Sequence, residues 1–311
     1  MNDLVRVGVI GVGALGQHHA RVYAGLTGVA LVGVYDTDPA RAREVAERHG
    51  GRAFPTVEAL LGEVRAVSVA VPTVDHHRLA RQALEAGRDV LVEKPMTSTL
   101  EEADDLIALA DARKAVLQVG HIERFNPATD VLKATVHKPR FIEVHRLGSF
   151  SARSLDVDVV LDLMIHDLDI VLFLDGSEAV QIDAVGVPVL TPKVDIANVR
   201  LRFASGLIAN LTASRVSVDK VRKFRVFSPR TYVSVDFTRR EAQVARLKEG
   251  AGGRPEIATE KTSAPDQEPL RRQLEAFVTA VRERSRPVVP GSDGRRALAL
   301  ARAILARMAE A

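Results

Sequence analysis

The sequence predicts an α/β protein in two parts: a doubly wound parallel sheet, then an α+β region on an open, mainly antiparallel sheet. Two observations predict this. Up to about residue 121, short apolar runs alternate with helix-length segments, the pattern of parallel strands joined by crossover helices. Beyond it, β-type runs follow one another with turn signals between them. The chain has 311 residues, 46% of them hydrophobic, enough for two cores. The expected domains are 1–121 and 122–311, with the last helix, 293–308, a candidate to pack back on the first.

The first forty residues are the most specific. Leu4-Val5-Arg6-Val7-Gly8-Val9-Ile10 leads into Gly11-Val12-Gly13-Ala14-Leu15-Gly16, which reads as strand, glycine turn and helix. A second run, Val29-Ala30-Leu31-Val32-Gly33-Val34-Tyr35, ends on Asp36, about twenty residues past the third glycine. That is the spacing of a dinucleotide-binding Rossmann βαβ unit. Gly11 serves the tight turn, Gly13 the approach of backbone to a pyrophosphate, and Gly16 the close packing of the helix. Glycines also mark ordinary turns, but here the strand, the helix and the acid are all in place. Asp36 points to NAD over NADP, because a carboxylate accepts both ribose hydroxyls and repels a 2′-phosphate, and no Lys or Arg follows before Arg41.

Asp38-Pro39 supplies an N-cap and a first-turn proline for a helix through residue 48. Strands follow at 66–71, 89–92 and 116–119, with helices at 76–86 and 100–113 between them. Ser98 with Glu101, or Thr99 with Glu102, offers the last helix a capping box. In such a sheet, ligands sit at the carboxyl ends of the strands. The second part reads as strands at 141–148, 180–189, 198–203, 207–215, 222–227 and 232–237, interrupted by one long helix at 157–174. Residues 248–269, rich in Gly, Pro and charge, read as a mobile surface loop, and helices at 270–284 and 293–308 close the chain. There is no internal repeat.

Charge argues against nucleic acid: 43 basic and 40 acidic residues leave only +3, interspersed along helices, with 4% aromatic residues. The absence of cysteine excludes disulfide and thiolate chemistry. No segment reads as a membrane span, and the chain enters a strand without a signal-peptide pattern, so the expectation is a cytoplasmic protein.

Chemistry is expected at two places. Glu93-Lys94-Pro95 follows the strand at 89–92, which puts Lys94 at a carboxyl strand end; its bland alternative is a surface charge before a turn proline. Asp162 and His166, four apart on the long helix, share one face of an otherwise apolar segment. They could equally be a buried hydrogen-bonded pair. His121, Asp162, His166 and Asp169 are conceivable metal ligands, but no ligand spacing such as HExxH appears, so no metal is expected.

With these residues in view, the chain resembles the family of glucose-fructose oxidoreductase, inositol dehydrogenase and MocA over nearly its whole length. The family's glycine turn matches Gly11 to Gly16, and its Pro-Asn-x-x-His becomes Pro72-Thr73-Val74-Asp75-His76. Its strand and Glu-Lys-Pro element becomes Ala86-Gly87-Arg88-Asp89-Val90-Leu91-Val92-Glu93-Lys94-Pro95, and its Asp-x-x-x-His helix matches Asp162 and His166. Thr73 in place of asparagine is the main departure. The resemblance implies cofactor contacts from Gly11, Gly13, Ala14, Leu15, Gly16, Asp36, Pro72, Thr73, His76, Glu93 and Lys94. It implies a reacting hydroxyl between Lys94 and His166 with Asp162 nearby, a cis Lys94-Pro95 bond, and homodimers or homotetramers packed through the second sheet. Which of Lys94 and His166 is the base stays open.

Gly120-His121-Ile122-Glu123-Arg124-Phe125-Asn126-Pro127, with Gly148-Ser149-Phe150-Ser151-Ala152-Arg153, is similar to the branch that oxidises the 3-hydroxyl of UDP-N-acetylglucosamine toward lipid A. The implied substrate contacts are Lys94, Arg124, Asn126, Arg153, Asp162 and His166, with the two arginines suited to a diphosphate or, equally, to salt bridges. A dehydrogenase of a free polyol such as inositol is the closer rival. A non-catalytic nucleotide-binding sensor would have lost Lys94 or His166, both present here. For oligomerisation, only one face of the second sheet can be covered by the long helix, and segments 207–212 and 232–237 alternate enough to leave an apolar stripe on the other.

Overall fold

A computed structural model describes residues 4–150, 157–249, 254–263 and 267–310. They fall into two units, Met1–Ile122 with Glu268–Arg295, and Glu123–Gln267 with Arg296–Ala311.

In the first unit six strands form one parallel sheet: β1 (Val5–Ile10), β2 (Val29–Tyr35), β3 (Arg52–Ala53), β4 (Ala66–Val69), β5 (Asp89–Glu93) and β6 (Leu117–Gly120), in the order β3-β2-β1-β4-β5-β6. β4, β5 and β6 are buried at every residue, as expected for a parallel sheet. Helices α1 (Gly16–Ala24), α2 (Pro39–His49), α3 (Val57–Leu61), α4 (His76–Glu85) and α5 (Leu100–Arg113) connect them. α2 starts where expected: the Asp38 carboxylate accepts N–H bonds from Ala40 at 2.9 Å and Arg41 at 3.2 Å. Of the two candidate boxes before α5, Thr99 with Glu102 is the one that forms, with Thr99 Oγ1 accepting from Glu102 at 3.2 Å and the Glu102 carboxylate accepting from Thr99 at 3.1 Å.

In the second unit α6 (Pro127–Thr135), β7 (Phe141–Leu147) and α7 (Ile165–Asp175) precede a run of strands, β8 (Ala179–Val187), β9 (Ile196–Phe203), β10 (Ile208–Ser214), β11 (Val221–Ser228), β12 (Thr231–Asp236), β13 (Glu241–Glu249) and β14 (Pro255–Ser263). These form one sheet in the order β14-β13-β12-β11-β7-β10-β9-β8, antiparallel except for the parallel pair β7 and β10. Its inner face, including Val199, Leu201, Leu211, Phe224, Val233 and Val235, buries itself with Leu132 of α6 and Leu168, Val171 and Leu172 of α7.

Three expectations need correction. Residues 248–269 are not simply a loop: β14 pairs with β13 along its length, from Glu241 with Ser263 to Glu249 with Pro255. The strand was hidden because it is a charged edge strand with no buried apolar face, held by backbone bonds. The segment after 268 does not stay with the second part. α8 (Pro269–Glu283) buries Leu270, Leu274, Phe277 and Val278 in the same core as Val5, Val7 and Tyr23. The last helix, α9 (Gly291–Ala309), puts Ala297, Leu300, Ala301 and Ile304 in the second core, while its first residues, up to Arg295, fall in the first unit. The long helix at 157–174 begins with a π turn, Val160–Met164, and becomes regular only at α7.

The apolar stripe also differs in place. Leu207, Ala209, Leu211, Val233, Val235 and Phe237 face inward and are buried. On the outer face a row runs across the strands instead: Ile208 is paired with Phe141, Phe141 with Phe227, and Phe227 with Tyr232. Their rings touch, at 5.5 Å between the Phe141 and Phe227 centroids and 4.9 Å between Phe227 and Tyr232.

Gly16 offers a sharp test of the first unit, because a Cβ there would lie 1.8 Å from the Gly11 carbonyl oxygen. Gly16→Ala should lower stability by roughly 1–3 kcal/mol or more and abolish nicotinamide-dinucleotide binding, read by thermal denaturation and calorimetry.

Candidate active site

The strand order of the first sheet reverses between β1 and β4, and the glycine turn lies at the carboxyl end of β1 beside that switch point. Gly11 has a φ of +83° and donates its N–H to the Tyr35 carbonyl at 2.8 Å, closing the turn onto the end of β2. An added Cβ at Gly13 would meet nothing within 4 Å, so backbone there is open to a ligand. That open surface belongs to a cavity of about 440 Å³ lined by Val12, Gly13, Ala14, Gln17, Arg41 and Arg48; Leu15, exposed, leads into α1. Asp36 is buried at the end of β2, accepting from Val12 N–H at 2.8 Å and Asp38 N–H at 2.9 Å, with Arg41 Nη1 at 3.5 Å. The acid therefore braces the turn from the end of β2. Glycines, open backbone and acid together fit a dinucleotide.

Further along the same strand ends, Pro72 and Thr73 open the 3₁₀ turn Thr73–Asp75. His76 is buried, and its two ring nitrogens lie 2.8 Å from the Pro95 carbonyl and 2.9 Å from that of Val71. It sits between the two backbone loops, and as a neutral ring it donates to one of the two carbonyls. Burial pushes its pKa below the ordinary histidine value, against the pull of both carbonyls. Lys94 follows β5, half-buried, and the Lys94-Pro95 bond is cis as expected.

Glu93 is buried, 3.3 Å from His19 Nε2 on α1 and 3.3 Å from Gln273 Nε2 on α8. Burial alone would raise its pKa, but the bond to His19 and the charges of His19, Lys94 and His76 hold it below the usual glutamate value. A Cβ at Gly120 would lie 2.4 Å from Glu93 Oε1, which accounts for the glycine ending β6. His121, next to it, is buried.

In the second unit Asp162 lies half-buried in the π turn and His166 is buried at the start of α7. π turns are frequent at functional sites. Arg124 and Asn126 do not have the placement expected of substrate contacts. Asn126 caps α6, accepting from Ala128 N–H at 3.1 Å and donating to Glu123 at 3.1 Å. Arg124 is buried, its Nη1 3.2 Å from Asp169 and its guanidinium carbon 3.8 Å from the Phe173 ring centroid. Its Nη1 and its flat face are thus engaged within the second unit. Arg153 lies outside the described residues. Among the described residues, no group of three or more His, Cys, Asp or Glu side chains is arranged to hold a metal.

Sequence reasoning missed the partners. Arg146 on β7 is buried and forks the Asp167 carboxylate, Nε to Oδ2 at 2.7 Å and Nη2 to Oδ1 at 2.8 Å, while Nη1 reaches Glu123 at 3.0 Å. Burial opposes its charge, but the Asp167 and Glu123 carboxylates outweigh that and raise its pKa above the ordinary arginine value. A signal existed: Ile142, Val144 and Arg146 occupy the core-facing alternate positions of the strand. His19 and Gln273 gave none, since only folding brings them to Glu93.

This fold, with a dinucleotide cradle at the ends of β1 and β2 and a lysine at the end of β5 on the same edge of the sheet, is that of a nucleotide-dependent oxidoreductase. Residues 5–121 match the oxidoreductase family with NAD-binding Rossmann fold, GFO/IDH/MocA, and residues 130–233 match the C-terminal domain of that family. The chain belongs to the GFO/IDH/MocA family, and NAD is its cofactor. It is 44% identical over 301 residues to UDP-N-acetylglucosamine 3-dehydrogenase of Acidithiobacillus ferrooxidans, covering 96% of this chain and 95% of that protein. A solved structure of an enzyme of that description and organism superposes with a TM-score of 0.92 at 42% identity, over 97% of this chain and 96% of the other. Inositol 2-dehydrogenase of Rhizobium meliloti is 27% identical over 328 residues, covering 98% and 97%. No helix among the described residues is long and apolar enough to cross a membrane.

Replacing Asp36 by Ser should weaken NAD binding on the order of 10- to 100-fold, the loss expected of a charge-assisted hydrogen bond, and narrow the gap to NADP. Calorimetric titration with each cofactor checks both effects.

Proposed function

We propose that this chain is a nucleotide-sugar dehydrogenase that oxidises the 3-hydroxyl of UDP-N-acetylglucosamine to a ketone. The observation that carries the reading is the 44% identity, over nearly the full length of both chains, to an enzyme of that description, against 27% for an inositol dehydrogenase. Lys94, Asp162 and His166 supply the functional groups. Bound NAD supplies the two-electron acceptor. The Lys94 ammonium lowers the energy of negative charge developing on the sugar oxygen, and His166 receives the hydroxyl proton, with Asp162 orienting the pair. Gly11, Gly13, Ala14, Leu15, Gly16 and Asp36 hold the dinucleotide, and Pro72, Thr73, His76 and Glu93 shape the loops beside it. A nucleotide sugar and NAD as substrate and cofactor accord with the cytoplasmic protein expected from the sequence.

The test incubates purified protein with UDP-N-acetylglucosamine and NAD, adding an external 2-oxoacid in case NADH is retained, and detects product by mass. A product lighter by two hydrogens, with a raised melting temperature, supports the reading; the same two effects from a free polyol alone reverse it. Lys94→Ala and His166→Ala should each lower kcat by roughly 10²- to 10⁴-fold with cofactor affinity nearly unchanged, measured by steady-state kinetics and calorimetry.

We also infer a homodimer or homotetramer through the outer face of the second sheet, where Ile208, Phe141, Phe227 and Tyr232 form a continuous row. Light scattering at micromolar concentration should give an oligomeric mass, and a Phe227→Glu, Tyr232→Glu double variant should lower it to that of a monomer.

A further inference from the structure

We propose that Arg146 is a positioning residue for the reaction: its fork on Asp167 sets the rotation of α7 and so the direction of the His166 imidazole. The inference rests on the reading of His166 as the proton acceptor.

α7 has little of its own to fix its rotation. Ile165, Leu168, Ile170, Val171 and Leu172 are all buried, so apolar contact surrounds the helix and a turn about its axis exchanges one apolar neighbour for another. Buried carboxylates break that degeneracy because each tolerates only one direction. Asp167 is the residue after His166, about 100° further round the helix. Its two oxygens are held in the plane of the Arg146 fork at 2.7 and 2.8 Å, a geometry that a point-charge lysine does not reproduce.

The second grip is on another side. His166, Asp169 and Phe173 stand at i, i+3 and i+7 and share one helix face. Arg124 lies on that face, bonded to Asp169 and stacked on Phe173. The two arginines are themselves linked, since Glu123, next to Arg124 in the chain, accepts from Arg146 at 3.0 Å and from Asn126 at 3.1 Å. The run from Glu123 to Asn126 is therefore directed inward and braces the helix that carries His166. An apolar residue pair of similar volume would serve stability as well or better; what the ion pair adds is direction.

The experiment compares Arg146→Lys and Asp167→Asn with wild type and His166→Ala, using UDP-N-acetylglucosamine and NAD, with rates expressed per cofactor-binding site. Both variants keep polar partners at their positions, and Asp167→Asn keeps the side-chain shape. A displaced proton acceptor should lower kcat roughly 10- to 100-fold, shift the pH limb of kcat, and leave the NAD dissociation constant within about twofold. Combined with His166→Ala, neither change should lower kcat further, because Arg146 acts through His166.

Normal kcat and an unshifted pH limb in a folded Asp167→Asn enzyme overturn the proposal, as does a full multiplicative loss in the His166→Ala background. A lower melting temperature with wild-type kcat per site reveals a merely structural ion pair and overturns it too. If His166→Ala itself retains wild-type turnover, it is the assignment of His166 that fails.

Discussion

At the glycine turn the chain passes so close to itself that one extra carbon is excluded, and the carboxyl edge of the first sheet depends on that near-contact. A Cβ on Gly16 would meet the Gly11 carbonyl oxygen at 1.8 Å and the Ala70 Cβ at 3.3 Å. Only with both glycines can α1 begin directly at the end of β1 and leave the backbone at Gly13 open. Asp36 then closes the turn from the neighbouring strand through Val12 N–H. Because that carboxylate braces the loop, a change at Asp36 is felt in the loop shape as well as in any contact to the cofactor. The same logic recurs at Gly120, where Glu93 occupies the space a Cβ would need.

The second unit solves a different problem. A helix buried on nearly all sides gains apolar contact in many orientations, whereas the proton acceptor proposed on it needs one. Placing Asp167 and Asp169 on α7 makes wrong rotations costly, since each would bury a carboxylate away from its arginine. Arginine suits both positions for different reasons. Arg146 offers a planar fork to a carboxylate, and Arg124 a flat face to Phe173.

The first sheet was legible because its signals are local: alternating strands and helices, a cap at Asp38, a box at Thr99, glycines that only a tight turn requires. β14 was not, since a strand held by backbone pairing at a charged edge carries no apolar alternation, and its Gly and Pro neighbours read as loop. For α8 the sequence predicts the helix but not its core, because an apolar face announces burial without naming the partner. At the site, Lys94 and Asp36 stand at strand ends where motif and topology agree. The partners of Glu93 come from residues 19 and 273, a pairing that no local pattern encodes.

The segment Gly120 to Pro127 shows how residue type and residue direction separate. Its arginine and asparagine are the residue types a diphosphate would select, yet both point inward, to Asp169 and Phe173 in one case and to the start of α6 in the other. The segment therefore has a second role available to its arginine besides a contact to the nucleotide, that of holding Asp169 and Phe173. A segment that sets the orientation of α7 shapes the position of every side chain on that helix, His166 among them. Buried residues of this segment can then act on the site through the one helix orientation that they make the cheapest to adopt.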